Sequence, residues 1–466
     1  MKDFSFDTIA AVSTPRGKGG VALIRISGSA AAEVADRIFV PASGGTLSQK
    51  RPRSAVFGRI FTPDGGLCID EGLAVLFRAP ASFTGEDTVE ICCHGGALVT
   101  RRVLEACLGA GARHAEAGEF TRRAFASGKI GLDEAEALGL LLDAGTDAQL
   151  RLSRSGMAGT LGKRCAELRD EATALLTDIY ARVDFPEEDL GSISAEETRA
   201  RIGTLVDKTA ALAATYRTGR AVAEGIPAVI CGRTNAGKSS LYNLLVGEDE
   251  AIVTDIAGTT RDVLSTTVSF GDVTLRLFDT AGIREDSADE VEAIGIRRAI
   301  EKIDGAELIF YVIDATRAPD GDDIALAERL LAHGGQVVAV LNKVDSTPCA
   351  EAEELFSRFG LRARLSALTG EGKDALEALV SALFIDGELD FSADAIVMGA
   401  RQYDAIARAA DALASAADTI DSGFPPDLAG VCLEDAAAAL GELDGRGDTV
   451  RTDLIDGIFS KFCVGK

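Results

Sequence analysis

The 466 residues predict a multi-domain chain of α/β and α type, with a mostly parallel sheet domain inserted into a helical domain that is formed from two segments. Three observations predict it. An apolar run, Ala228-Val229-Ile230-Cys231, enters a glycine-flanked loop that opens into a helical pattern, and strands alternate with helices from there to about residue 384. Helical patterns flank that stretch on both sides, and those after it, 396–420 and 449–462, are too poor in apolar residues to fold alone. Before residue 118 the apolar runs are short and bounded by Gly, Pro and Asp, as strands are.

Residues 1–118 read as a mixed α/β domain. Strands are expected at 21–26, 56–61, 73–77 and 89–93, with a small-residue helix over 30–38. Arg25 and Glu90 lie inside two of these strands, and strand charges commonly face solvent or each other. Residues 119–216 form the first part of the helical domain. Leu168, Ala172, Leu175, Leu176, Ile179 and Val183 share one face, as do Ile202, Leu205, Val206 and Leu212. Pro186 in Asp184-Phe185-Pro186 separates these two helices, because proline lacks the N–H that a helix interior needs. The inserted domain occupies 217–384. Its runs 263–270 and 273–278 are joined by Gly271-Asp272, a hairpin that places one strand antiparallel at the sheet edge. Residues 385–466 supply the second part of the helical domain.

Composition narrows the function. Hydrophobic content of 47% and charged content of 26% are ordinary for globular protein. A formal net charge of -25 opposes a chain dominated by nucleic-acid contacts, without excluding a local basic face. Nine cysteines without a CxxC pair suit reduced thiols in a cytoplasm, and three dispersed histidines disfavour zinc. No uncharged run is long enough to span a membrane, so none is expected as a partner.

The chemistry concentrates in the insert. Gly232-Arg233-Thr234-Asn235-Ala236-Gly237-Lys238-Ser239-Ser240 matches a phosphate-binding loop in its required strand–loop–helix setting. Its glycines let backbone N–H groups wrap phosphate oxygens, and the helix N-terminus adds favourable dipole charge. Lys238 is placed to reach the β- and γ-phosphates and Ser239 to ligate Mg²⁺. Asp279-Thr280-Ala281-Gly282 ends a strand, offering a carboxylate to the Mg²⁺ shell and a glycine N–H to the γ-phosphate. Asn342-Lys343-Val344-Asp345 closes another, and Asp345 can accept from guanine N1–H and the N2 amine together, a donor pair that adenine lacks. Ser366-Ala367-Leu368 follows a further strand and is placed to offer a backbone N–H to guanine O6. Each tetrapeptide is weak alone; in this order, at strand ends, they specify a Ras-like domain that binds GTP.

Further motifs resemble one family from end to end. They are Gly17-Lys18-Gly19-Gly20-Val21 with Arg25-Ile26-Ser27-Gly28, Phe83-Thr84-Gly85-Glu86-Asp87, His94-Gly95-Gly96, Gly118-Glu119-Phe120-Thr121-Arg122-Arg123-Ala124-Phe125, Gly258-Thr259-Thr260-Arg261-Asp262 and Phe462-Cys463-Val464-Gly465-Lys466. Together with the phosphate loop, the chain resembles the MnmE (TrmE) family of tRNA modification GTPases. It departs from the pattern at Thr234, where relatives usually have proline, and in a longer loop around Asp444-Gly445-Arg446-Gly447-Asp448.

The resemblance implies that residues 1–118 form a domain that dimerises and binds a tetrahydrofolate, in its 5,10-methylene or 5-formyl form, as one-carbon donor. Arg25, Glu90, Lys129 and Lys466 are its implied contacts. It also implies a complex with the FAD protein MnmG, which would supply much of the tRNA affinity, and an aminomethyl or carboxymethylaminomethyl group placed on C5 of wobble uridine 34. Cys463 has three readings: a prenylation box, which Gly465 and Lys466 fit poorly, a structural cysteine, and, by the family pattern, a catalytic thiol near the folate. The competing class is a ribosome-assembly or signalling GTPase, which predicts no folate binding.

How the γ-phosphate is cleaved poses a separate problem. Ras-like enzymes orient the attacking water with a glutamine just after the Asp-x-x-Gly motif, but here Ile283 follows Gly282. Asn235 is a hard-oxygen ligand beside the developing charge, and the segment Thr254-Asp255-Ile256-Ala257-Gly258-Thr259 can present the carbonyls of Thr254, Ile256 and Thr259. Such an oxygen cage suits a large monovalent cation, which the resemblance identifies as K⁺. Thr260 would complete the Mg²⁺ shell with Ser239, and the resemblance makes Glu292 the catalytic glutamate. The plainer alternatives are a loop asparagine satisfying its own backbone and an exposed helix charge.

Overall fold

The structure, a computed structural model, describes residues 7–15, 17–184, 195–247, 265–278, 305–385, 389–443, 445, 452–460 and 462–465. It forms two compact units, Met1–Gly139 with Ala438–Lys466, and Leu140–Ala437.

The first unit is built on seven strands: β1 (Ile9–Val12), β2 (Val21–Ser27), β3 (Phe39–Pro41), β4 (Val56–Phe61), β5 (Cys68–Phe77), β6 (Thr88–His94) and β7 (Arg113–His114). Their order is β3-β4-β5-β6-β2-β1-β7, and every pairing is antiparallel except β1 with β7. Side chains alternate across the sheet, as a pleated strand requires. Ala22, Ile24 and Ile26 of β2 and Val89, Ile91 and Cys93 of β6 turn to one face, where they join Ala35 and Ile38 of the helix Ala31–Ile38 and Val103 and Cys107 of the helix Ala97–Gly109. Full burial of each larger aliphatic chain stabilises by about 1.5–3 kcal/mol, so an Asp at Ile24 would break this layer. The register opposes Arg25 to Glu90 on the other face.

Strands β1, β3 and β7 and the helix Ala97–Gly109 went unread in the sequence. Strands β1 and β3 are short, and β7 is two polar residues; each exists because a longer neighbour offers an edge. The helix Ala97–Gly109 buries only Val103, Ala106 and Cys107, too few for a clear period. The helix Thr452–Phe459 closes the unit, with Phe459 and Phe462 packed on Leu132 and Ala135.

The second unit contains six strands: β8 (Ile226–Gly232), β9 (Ser265–Phe270), β10 (Val273–Phe278), β11 (Leu308–Asp314), β12 (Gln336–Asn342) and β13 (Leu361–Leu365). Their order is β13-β12-β11-β8-β10-β9, parallel throughout except for the expected hairpin, which sets β9 antiparallel at the edge. Both faces are covered, so buried strands read as continuous apolar runs. Ala228 and Ile230 pack with Leu241 and Leu376 on one side, and Val229 and Cys231 with Ala327 and Leu355 on the other.

The flanking helices come together as the divided pattern requires. Ala195–Ala214 lies along Ala400–Asp421, where Arg199 pairs with Asp421 at 2.8 Å. Tyr216 stacks on Tyr403 with centroids 4.5 Å apart. The two ends of the insert are tied to each other: Arg217 Nη2 donates to the Leu383 carbonyl at 2.8 Å and Thr218 Oγ1 to that of Phe384 at 3.2 Å. The helix expected from residue 396 starts at Ala400: buried Ile396, Val397 and Met398 are not helical, and the N–H groups of Val397 and Met398 go to the Thr215 and Gln402 side chains. The loop around Pro186 lies outside the described residues.

Candidate functional site

Strand β8 delivers the phosphate loop to the C-terminal edge of the parallel sheet, where ligands of such folds bind. Buried Ile230 and Cys231 anchor its exit, and burial raises the Cys231 thiol to about 12, so it stays a neutral packing group. The loop then turns into the helix Lys238–Val246. Gly237 has φ 101 and must be glycine, because a Cβ there would stand 2.0 Å from Asn342 Nδ2. Asn235 is also left-handed, at φ 65, a conformation that asparagine tolerates better than most residues. Ala236 is buried, whereas Asn235, Ser239 and Ser240 are exposed around the helix N-terminus. Lys238 Nζ donates to the Arg233 carbonyl at 2.8 Å, folding its ammonium over the loop.

The base-side motifs are tied to this loop by one buried side chain. Asn342, 2% exposed at the end of β12, donates from Nδ2 to the Ala236 carbonyl at 2.9 Å. Its Oδ1 accepts from the Ala367 N–H, also at 2.9 Å. Asn342 is thus a strut between the phosphate loop and the Ser366-Ala367-Leu368 segment. Ser366 is fully buried, its N–H donating to the Glu371 carbonyl at 2.9 Å, while Leu368 is 86% exposed. Lys343, at φ 67, donates to the Asn235 carbonyl at 3.0 Å. Asp345 is exposed two residues further on.

Sequence reasoning missed the residue that holds Lys343. Asp314 ends β11 beside Asn342 in register, and its Oδ2 lies 2.6 Å from Lys343 Nζ. Burial pushes its carboxyl up, but hydrogen bonds from Lys343 and Thr316 outweigh that and hold it below the usual carboxylate range. An Asp closing a wholly apolar strand was the available signal. Arg233 was also passed over; it pairs with Asp320, whose side chain caps the helix Gly321–Leu331.

Thr254, Asp255, Ile256, Ala257, Gly258, Thr259, Thr260, Asp279, Thr280, Ala281, Gly282, Glu292 and Lys466 lie outside the described residues. Among the described residues no group of three His, Cys, Asp or Glu is arranged to hold a metal. The exposed Ser239 hydroxyl at a helix N-terminus and the exposed Asn235 amide nonetheless offer oxygen to a hard cation.

In the first unit Arg25 and Glu90 pair at 2.8 Å across β2 and β6. The Arg25 guanidinium lies 5.4 Å from the Phe83 ring centroid and 5.6 Å from that of Phe120. The Phe83 loop is pinned from below: Glu86 accepts from Ser27 Oγ at 2.7 Å and pairs with Arg123 at 3.1 Å, and Arg123 also holds Glu119. Lys129 reaches the same loop, donating to the Pro80 carbonyl at 3.1 Å. Cys463 is exposed and lines a cavity of about 990 Å³ with Lys18, Arg101 and His114, and neither Arg25, Glu90 nor Lys129 belongs to that lining. All nine cysteines are free, and among the described residues no helix is long and apolar enough to cross a membrane.

Comparison with known proteins matches this layout. The family described as "GTP-binding protein TrmE N-terminus" matches residues 8–129, and "MnmE helical domain" matches residues 132–463. A protein named "tRNA modification GTPase MnmE" from Symbiobacterium thermophilum is 43% identical over 462 residues, covering 99% of both chains. Proteins of the same name from Geobacter sulfurreducens and Acetivibrio thermocellus are 40% and 39% identical, again over 99% of both chains. With its nucleotide motifs at one sheet edge and these likenesses running its full length, the chain belongs to the MnmE (TrmE) family.

Proposed function

We propose that this chain hydrolyses GTP in the course of tRNA modification, with the MnmG protein as partner and the wobble uridine as target. The observation that carries the nucleotide half is the Asn342 strut, which presents the phosphate loop and the Ser366–Leu368 segment together. Backbone N–H groups around Gly237 and the Lys238 ammonium would bind the phosphates, Ser239 a magnesium ion, and the Asp345 carboxylate the guanine amine edge. Residues 1–118, 119–216 with 385–466, and 217–384 would be its folate-binding and dimerising, helical and GTPase domains.

Asn235 supports a potassium-dependent reaction, since its exposed amide oxygen adjoins the loop that would hold the β- and γ-phosphates. When bound, the cation would offset charge developing between those phosphates. Thr254, Ile256 and Thr259 would share it, Thr260 would complete the magnesium shell, and Glu292 would orient the water. In the first unit, Arg25, Glu90 and Phe83 suit a flat heteroaromatic ligand: a carboxylate can accept from the paired N–H groups of a pterin edge, and an aromatic face can stack on the ring. The folate would supply the transferred carbon, Lys129 and Lys466 would hold its acidic tail, and Cys463, which lines a separate cavity, would act as a thiol on a ligand long enough to reach it.

Two measurements test the proposal. Hydrolysis compared in KCl and NaCl at equal ionic strength should differ by about 10–1000-fold for the native chain, the scale of one preorganised charge contact. Asn235→Ala should remove the difference while still binding GTP, and Glu292→Ala should lower the rate in both salts. Equal native rates in both salts would rule out the potassium step. Nucleoside analysis of tRNA from cells lacking the protein should show unmodified wobble uridine; unchanged nucleosides would leave a GTPase of the ribosome-assembly or signalling kind.

A further inference from the structure

A chain of formal charge -25 must approach a polyanion through some local exception to its composition. The first unit contains one. Residues 37–63 include Arg37, Lys50, Arg51, Arg53 and Arg59 and no acidic side chain at all. Three arginines of this neighbourhood, Arg51, Arg53 and Arg78, line a concavity of about 640 Å³ with Pro52, Ser54, Ala79 and Ala81.

The concavity is built rather than incidental. Arg53 sits at φ 59, a left-handed conformation that a long side chain seldom adopts. Its N–H is held by the Leu76 carbonyl at 2.8 Å, and its Nη2 reaches the Ala81 carbonyl at 3.3 Å. Ser54 Oγ closes the turn by donating to the Arg51 carbonyl. Arg78 is fixed by Asp87, the one carboxylate paired with these three arginines among the described residues. The Arg51 side chain, by contrast, has no hydrogen-bond or ion-pair partner among the described residues and is exposed. A strained turn thus gathers three guanidiniums with one carboxylate between them, which leaves the concavity cationic.

We infer that the Arg51–Arg53–Arg78 concavity binds the phosphate backbone of the RNA substrate. This rests on the tRNA reading proposed above and adds a contact surface on this chain. Guanidinium forks match phosphate oxygens bidentately, and they stay charged at any working pH. The lining has no aromatic ring to stack a base and no neutral amide to read one, so the contact is to backbone and independent of sequence. All three arginines are exposed around an open hollow, which suits an extended chain better than an enclosed small anion.

The test measures binding of unmodified tRNA to the full-length chain by fluorescence anisotropy across a KCl series. Arg51→Glu should weaken binding about tenfold or more. Arg51→Ala with Arg53→Ala should lower the slope of log affinity against log salt by about 1–2, as expected for one or two lost phosphate contacts. Arg51→Lys should stay within about threefold of the native chain. The same charge change at Lys163→Glu, in the other unit, should have a smaller effect than Arg51→Glu. GTP hydrolysis without tRNA should be unchanged in every variant. If Arg51→Glu binds like the native chain, or no worse than Lys163→Glu, the inference is overturned. Displacement of tRNA by inorganic phosphate beyond its ionic-strength effect would assign a small-anion site instead. Native protein that binds no tRNA at any salt would overturn the inferred contact on this chain, whereas unchanged wobble nucleosides in cells lacking the protein would refute the tRNA reading itself.

Discussion

Replacing Asn342 with Ala would remove a side chain that bonds both the phosphate loop and the Ser366 segment. Two 2.9 Å hydrogen bonds vanish, leaving the Ala236 carbonyl and the Ala367 N–H without that partner. A buried polar group left unsatisfied costs about 1–3 kcal/mol, so the pair sums to roughly 2–6 kcal/mol if neither is rehydrated. Space vacated by the amide admits water, which brings the expected loss to about 2–4 kcal/mol. The loss is divided between folding and binding, because the loops that loosen are those a nucleotide would order. Affinity for a fluorescent guanine nucleotide should fall about 10–300-fold, with a parallel drop in thermal unfolding temperature. Asn342→Asp separates the two bonds: its carboxylate still accepts from Ala367 but sets oxygen against the Ala236 carbonyl. It should therefore be at least as damaging to phosphate-loop order as Asn342→Ala. Native-like affinity together with native-like unfolding in Asn342→Ala would refute the strut.

Two further outcomes follow from the same edge of the sheet. Asp345→Asn places a donor against the guanine amine, so GTP affinity should fall by about 2–4 kcal/mol while xanthosine triphosphate gains; unchanged nucleotide preference in a competition titration would mean the base lies elsewhere. Asp314, whose folded pKa is depressed, contributes stability that is fully present above its ordinary value of 3.8 and lost as pH falls through the lower folded value. Thermal unfolding of native protein and Asp314→Asn should therefore differ at neutral pH, with the gap beginning to close only as pH falls below the ordinary carboxylate value of 3.8, and a constant gap would show that the carboxylate's charge does not matter.

The inserted sheet was legible because its central strands are buried on both faces and motifs with specific tasks stand at the ends of β8, β10, β12 and β13. Asn342 belongs to a motif read for its contact to the base, and its observed bonds are to protein backbone; no spacing rule reveals where an amide points once a loop closes over it. Asp314 carried a weaker signal, since an acid at a strand end is usually a cap. The edges of the first sheet were illegible for a different reason: Ile9-Ala10-Ala11-Val12 is four residues with no apolar–polar alternation and is recruited by β2. Arg25 and Glu90 were readable as a pair only once the register was known, and that register places them directly opposite one another.

The way residues 462–465 enter the first unit bears on how the chain is made. Val464 bridges to Ala117, the Gly118 N–H donates to the Cys463 carbonyl at 3.4 Å, and Ser13 Oγ donates to that of Gly465 at 2.9 Å. A ribosome producing about 5–20 residues per second completes the first seven strands well before it supplies the segment that finishes their domain. Throughout that interval Leu132 and Ala135 wait without Phe459 and Phe462, an apolar surface that nascent-chain chaperones are suited to cover. Final closure of the first unit therefore reports that the intervening residues have been synthesised, and a prematurely terminated chain would display its incompleteness as exposed hydrocarbon to the proteases that clear such products.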